Sequence, residues 1–169
     1  GSPERSGMER ERVPFDVSRL TRKDPSCFIC DIVAGNPRRE HHIVAETESA
    51  IAFLNRFPTL FGYVLVAPKL HREQVTGDFD EKEYLELQRL IFRITECMRR
   101  LLVPERIYIL SLGSQEGNSH VHWHVAPLPR GVPREQQQYH ALMHENGVLE
   151  TTPEEMAQFA EQLRTAVRG

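Results

Sequence analysis

Asn118-Ser119-His120-Val121-His122-Trp123-His124-Val125-Ala126 is the stretch on which the reading of this chain turns. In a strand alternate side chains share a face, so a strand over 120–126 sets His120, His122 and His124 on one side, each ~7 Å along the chain from the next. Val121, Trp123 and Val125 then point the other way, toward a core. Three imidazoles on one face forgo apolar packing, and two chemistries would account for them. The row binds a metal ion, or the central imidazole is a nucleophile whose neighbours orient it and hold an anion. A polar strand face with unrelated histidines is the third reading. The loop before it, Gly113-Ser114-Gln115-Glu116-Gly117-Asn118-Ser119, offers glycine-freed backbone N–H groups with hydroxyl and amide donors, a composition suited to a phosphate nest.

Working outward, residues 106–112 and the β-branched run 62–68 (GYVLVAP) read as strands, as do 49–55 and, more briefly, 42–46. The run 80–102 is the clearest helix, with Tyr84, Leu87, Leu90, Ile91, Ile94, Met98, Leu101 and Leu102 at three- and four-residue steps and Pro104 beyond its end. A short helix over 27–34 is ended by Gly35-Asn36-Pro37. After an irregular exit through Pro127, Pro129, Gly131 and Pro133, one helix is expected within 134–145. Another starts at Thr152, with Pro153 at its first helical position. Residues 1–24 read as a flexible lead that includes a cloning scar (Gly1-Ser2) and is anchored near Phe15 and Val17. Residues 25–150 read as the domain, and 151–169 as a C-terminal helix packed on it or extending from it. The element order predicts an α+β fold: a mainly antiparallel sheet of about five strands packed with one long and several shorter helices.

At 169 residues the chain suits one domain. Twenty-one Lys and Arg against 24 Asp and Glu give a net charge of −3, which disfavours a duplex nucleic-acid binder. No apolar run nears the roughly 20 residues of a membrane span. Three cysteines, an odd number, and no secretory leader pattern predict a cytoplasmic protein.

Here the residues reach a family. His120-Val121-His122-Trp123-His124-Val125-Ala126 fits the hallmark, three histidines each followed by apolar residues, of the histidine-triad (HIT) nucleotide hydrolases and transferases. Cys27-Phe28-Ile29-Cys30-Asp31-Ile32-Val33-Ala34-Gly35 resembles that family's opening segment. Ala52-Phe53-Leu54-Asn55-Arg56-Phe57-Pro58, followed by Gly62-Tyr63-Val64-Leu65-Val66-Ala67-Pro68-Lys69-Leu70-His71, is similar to its two central strands. The resemblance implies that His122 attacks an α-phosphorus and forms a covalent nucleotidyl-histidine, with His124 contacting the phosphate or leaving group and His120 completing the triad. It implies a ribose contact for Asn55, and phosphate or leaving-group contacts for Gln115, Asn118 and Ser119. The substrate would be a nucleotide conjugate such as a dinucleoside polyphosphate or nucleoside phosphoramidate, and many relatives are homodimers. His124, where the sugar-phosphate uridylyltransferases carry glutamine, favours the hydrolase branch.

Two positions depart from the pattern. Tyr63 stands where relatives usually have a histidine that supports the triad, so that role passes to the phenol or is lost; in the second case the chain is a nucleotide-binding module with little turnover. Arg130 follows Pro127-Leu128-Pro129 instead of a single proline. Cys27-x-x-Cys30 by itself supplies two soft metal ligands or two reduced thiols. Zinc-bearing relatives complete such a pair with the positions of His71 and His120, which implies a structural zinc. Other residues receive plainer readings: His41-His42 as a surface pair, His140 and His144 as a solvent-facing helical pair, and Cys97 and Trp123 as core.

Overall fold

A computed structural model describes residues 10–19, 27–36, 41–115 and 118–169. The expectations for Gly1-Ser2, for a start at Pro25 and for the backbone of Glu116-Gly117 lie outside these residues. The strands are β1 (Arg12–Val13), β2 (Ile43–Glu46), β3 (Ala50–Leu54), β4 (Val64–Pro68), β5 (Arg106–Ser111), β6 (Trp123–Leu128) and β7 (Val148–Leu149). The helices are α1 (Phe28–Val33), α2 (Glu81–Leu102), α3 (Tyr139–Leu142) and α4 (Pro153–Arg168). The fold is α+β, with an antiparallel five-stranded sheet in the order β2-β3-β4-β6-β5.

β3 and β4 are buried at every position because the sheet is covered on both faces. Ala52, Leu54, Val64, Val66, Trp123 and Val125 pack with the apolar stripe of α2 (Leu87, Leu90, Ile91, Ile94, Met98) and with Phe159 and Leu163 of α4. Ile51, Phe53, Leu65, Ala67, Ala126 and Leu128 pack the other way, with Ile29 and Ile32 of α1. Cys97 and Trp123 are core residues, and the indole meets Phe79 and Tyr84 edge-on.

Local chemistry sets the ends of the elements. Asp80 Oδ1 accepts from the Glu83 N–H at 2.8 Å and caps α2, which stops at Val103 before Pro104. Thr152 and Glu155 form a capping box at the start of α4, with Pro153 in its first turn. Arg164 fastens α4 to the sheet edge, its guanidinium donating twice to the Ile43 carbonyl at 2.7 and 3.1 Å. Gly62 is required where it stands: its φ is +85°, and a Cβ there would lie 2.7 Å from Leu102 Cδ1.

Three local expectations are corrected. The triad strand runs over Trp123–Leu128, not 120–126. β4 pairs with β6 only as far as Val64↔Val125, so Pro127, opposite Ile107 of β5, lies beyond the end of the β4 ladder. His120 and His122 precede the ladder, with a bend at His120, and the Val121 N–H donates to the Arg72 carbonyl at 2.6 Å. Of the lead, residues 10–19 join the body: β1 pairs with β7, Arg10 contacts Glu155, and Phe15 packs on Phe57 and His144 at 4.9 and 5.3 Å between ring centres. The stretch 134–145 is broken into a 3-10 turn, the four-residue α3 and a second 3-10 turn. Its polar Gln-rich sequence has no apolar stripe to sustain a longer helix. No helix among the described residues is long and apolar enough to cross a membrane.

Candidate active site and metal centre

β4 and β6 lie side by side in the sheet, with Leu65 opposite His124. His124 therefore emerges on the α1 face of the sheet. His122, one alternation earlier, turns to the same side, with the two ring centres 4.9 Å apart. Both line a cavity whose apolar wall is Phe28 and Leu65, with Phe28 edge-on to His122 at 6.3 Å. His120 does not join them. Its ring turns to the thiols of α1, so the triad is divided between two sites.

The two pocket imidazoles are held by different partners. His122 Nδ1–H donates to the His120 carbonyl at 2.8 Å. In the neutral ring the lone pair is then on Nε2. Burial keeps that ring uncharged by pushing its pKa below the usual value. Burial, and then the neighbouring His122 and His144, bring His124 down to about 3. Its Nδ1 lies 2.7 Å from the Tyr63 hydroxyl, and its Nε2 is buried with no hydrogen-bond partner among the described residues. Tyr63, at the position where the resemblance leads one to expect histidine, is thus in hydrogen-bond contact with His124.

Of the other expected contacts, Asn55 and Asn118 line the cavity. Asn55 Oδ1 accepts from the Phe57 N–H at 2.9 Å, and Asn118 Oδ1 accepts from the N–H and hydroxyl of Ser114 at 3.0 and 2.6 Å. These bonds orient each amide with its NH₂ group left to donate. Gln115 and Ser119 are not among the lining residues; Gln115 is exposed and reaches the Glu73 carboxylate. Arg130 donates to the Val103 carbonyl at 3.2 Å, which closes the end of α2.

The cavity also gains residues that the one-dimensional pattern does not reveal: Arg19, Arg56 and His144. The Arg19 guanidinium stacks 4.5 Å from the centre of the Phe57 ring, and Arg56 approaches the same ring at 5.3 Å. His144 Nε2–H donates to the Phe57 carbonyl at 3.1 Å. Its spacing from His140 pointed to a helix face, whereas the break after α3 turns it inward. Among the described residues no Asp or Glu lines the cavity, although the chain carries net charge −3. The basic lining suits an anion.

The second site is a cluster of Cys27, Cys30, His71 and His120, with ligand atoms all within 4.8 Å of one another. Cys27 and Cys30 Sγ lie 3.2 and 3.6 Å from His120 Nδ1, and Cys30 Sγ lies 3.8 Å from His71 Nδ1. These separations suit donors about 2.0–2.3 Å from one tetrahedral ion. Both imidazoles present Nδ1 to the cluster and donate Nε2–H outward. His120 bonds the Pro68 carbonyl at 2.8 Å and His71 the Glu73 carboxylate at 3.0 Å. This is the outer support that metal-bound histidines need. Burial and the neighbouring Cys27 push the Cys30 thiol up to about 11, so a cation is what would draw this sulfur into thiolate form. The residues fit zinc. A single ion held by all three triad histidines does not fit this arrangement.

The family model for the HIT domain matches residues 36–131. The chain belongs to the HIT family. A HIT-like protein of Mycoplasma genitalium is 33% identical over 106 residues, 62% of this chain and 73% of the relative. The adenosine 5'-monophosphoramidase of Schizosaccharomyces pombe is 29% identical over 107 residues, 62% of this chain and 75% of the relative. Among solved structures, a histidine triad nucleotide-binding protein of Sulfolobus tokodaii superposes with TM-score 0.66 at 23% identity, covering 84% of this chain and 92% of the other. A zinc-bound histidine triad protein of Mycobacterium smegmatis gives TM-score 0.66 at 21% identity, covering 85% and 94%. In this HIT protein Arg19, Cys27, Phe28, Cys30 and His144 all lie outside the matched span, and the fold brings them to the two sites.

Proposed function

We propose that this HIT protein is a nucleotide hydrolase or transferase that cleaves the α-phosphate linkage of a nucleotide conjugate through a nucleotidyl-histidine at His122. The observation that carries the reading is the bond from His122 Nδ1–H to the His120 carbonyl, which leaves a neutral Nε2 lone pair in a cavity lined by Arg19 and Arg56. Nε2 attacks the α-phosphorus; the N–P bond forms as the bond from phosphorus to the leaving group breaks, and the leaving group carries away the electron pair. Water, or another acceptor in a transferase, then attacks phosphorus. The N–P bond breaks, His122 regains its lone pair, and the acceptor's proton is released. Asn55 and Asn118 orient the ribose and phosphate, while the apolar wall at Phe28 takes the base.

Zinc at Cys27, Cys30, His71 and His120 is structural in this reading, because four protein ligands leave no position for water. The binding-module alternative drew on the replaced histidine at position 63, and the Tyr63 hydroxyl beside His124 speaks for turnover. We place the protein in the cytoplasm as a homodimer. β5 is a sheet edge with Ile109 exposed, and Leu85 and Phe92 form an exposed apolar stripe on α2.

The test compares the parent with His122→Ala on a dinucleoside polyphosphate and a nucleoside phosphoramidate. A loss of about 10⁴-fold or more in kcat, with nucleoside monophosphate binding retained, is expected for a missing nucleophile. A quenched parent reaction should carry a nucleotidyl adduct on the peptide that contains His122. Turnover by His122→Ala at the parent rate would end the proposal.

A further inference from the structure

We propose that Tyr63 is a positioning residue that holds His124 as its Nε2–H tautomer, opposite to that of His122, so that the cavity presents one bare ring nitrogen beside one N–H donor. Two hydrogen bonds use the same ring atom differently. His122 Nδ1 faces a carbonyl, which only accepts, so this nitrogen carries the hydrogen. His124 Nδ1 faces a hydroxyl at 2.7 Å, which either donates or accepts.

The surroundings decide between the two. Tyr63 is 4% exposed and packs among Ile51, Phe53 and Leu65, with His124 its hydrogen-bond partner among the described residues. If the phenol accepted, its own hydrogen would be buried without an acceptor, and the His124 Nε2 lone pair would be buried without a donor. Each such group carries its full desolvation penalty. If the phenol donates, one open group remains, Nε2–H, and it belongs to a ring that lines the cavity beside His122. A phosphate oxygen is an acceptor only, so that N–H is the polarity a nucleotide needs. The groups around His124 leave the assignment undisturbed. Tyr63, His122 and His144 are its neighbours, no carboxylate among the described residues lines the cavity, and burial keeps the phenol protonated and the imidazole neutral.

The kinetic half of this inference rests on the nucleotidyl-transfer reading above; the tautomer itself does not. The test is a two-bond proton–nitrogen correlation spectrum of the histidine rings in the intact, zinc-loaded, substrate-free protein. His124 should carry its hydrogen on Nε2 and His122 on Nδ1. In Tyr63→Phe the His124 pattern should shift toward Nδ1–H while that of His122 stays. With a dinucleoside polyphosphate, kcat should fall about ten-fold with KM changing less than about two-fold, the loss of one well-aimed donor. Tyr63→His, which restores a ring N–H, should recover part of kcat. A parent spectrum with His124 protonated on Nδ1 would overturn the proposal, and this readout stands even if Tyr63→Phe fails to fold. An unchanged His124 pattern in a folded Tyr63→Phe would equally overturn the role of Tyr63. Should His122→Ala retain turnover, the reaction reading falls and the spectrum still decides the tautomer.

Discussion

The carbonyl of His120 accepts from His122 Nδ1–H at 2.8 Å, while the His120 ring faces the two thiols of the metal cluster. One residue therefore belongs to both sites: its side chain to the cluster, its backbone to the aim of His122. Positioning of this kind is steep, since small displacements of a reacting group cost large factors in rate.

Metal content and turnover should consequently fall together, although no chemical step involves the metal. Cys30→Ser is expected to lose zinc and roughly 10 °C of melting temperature, about 3 kcal/mol at this chain length. Its kcat should drop with the zinc. Elemental analysis, calorimetry and initial rates on one preparation check this; full zinc occupancy in Cys30→Ser would reject the four-residue site.

Acid should destabilise the protein through His124. Its unfolded ring takes a proton near 6.5, whereas burial first, then His122 and His144, hold the folded ring to about 3. Between those values the unfolded state binds the additional proton, so stability is greatest above 6.5 and falls as pH drops toward 3. Melting curves from pH 7 to 4 should slope less for His124→Gln than for the parent. Parallel slopes would show that the ring is charged in the folded state.

Arg19 should matter to substrates with a polyphosphate arm. Held against Phe57 in the cavity wall, its charge is expected to meet phosphates beyond the α-position. Arg19→Ala is expected to raise KM for a dinucleoside polyphosphate about ten-fold and to leave KM for a phosphoramidate within about two-fold, the scale of one charge-assisted hydrogen bond. Equal changes for both substrates would place Arg19 outside the leaving-group region.

Phe92 is 66% exposed and Leu85 53%, one helical stripe on α2. A charge placed there opposes burial between two copies. Phe92→Glu should convert a dimer to a monomer by light scattering with chromatography, at unchanged melting onset for the monomer. A parent that is monomeric at tens of micromolar would reject the interface.

The sequence alone determined the elements and much of the chemistry. The three-and-four spacing of Tyr84 to Leu102 specifies α2, the β-branched run before Pro68 specifies β4, and Thr152-Pro153 starts α4, because periodicity and capping act over a few residues. The triad and the cysteine pair were legible for the same reason: their meaning lies in residue type at short spacing. The resemblance already set His120 with the cysteines, and tertiary structure alone decided the geometry by which those residues divide. The His120 ring, at a bend before β6, turns to the thiols while His122 and His124 keep the cavity, and no local rule reads that division from three alternating histidines. It also brought Arg19 and His144 together across Phe57, through the pairing of β1 with β7 and the break after α3. Such contacts join residues far apart in the chain, and they follow from burial of the whole chain rather than from any window of it.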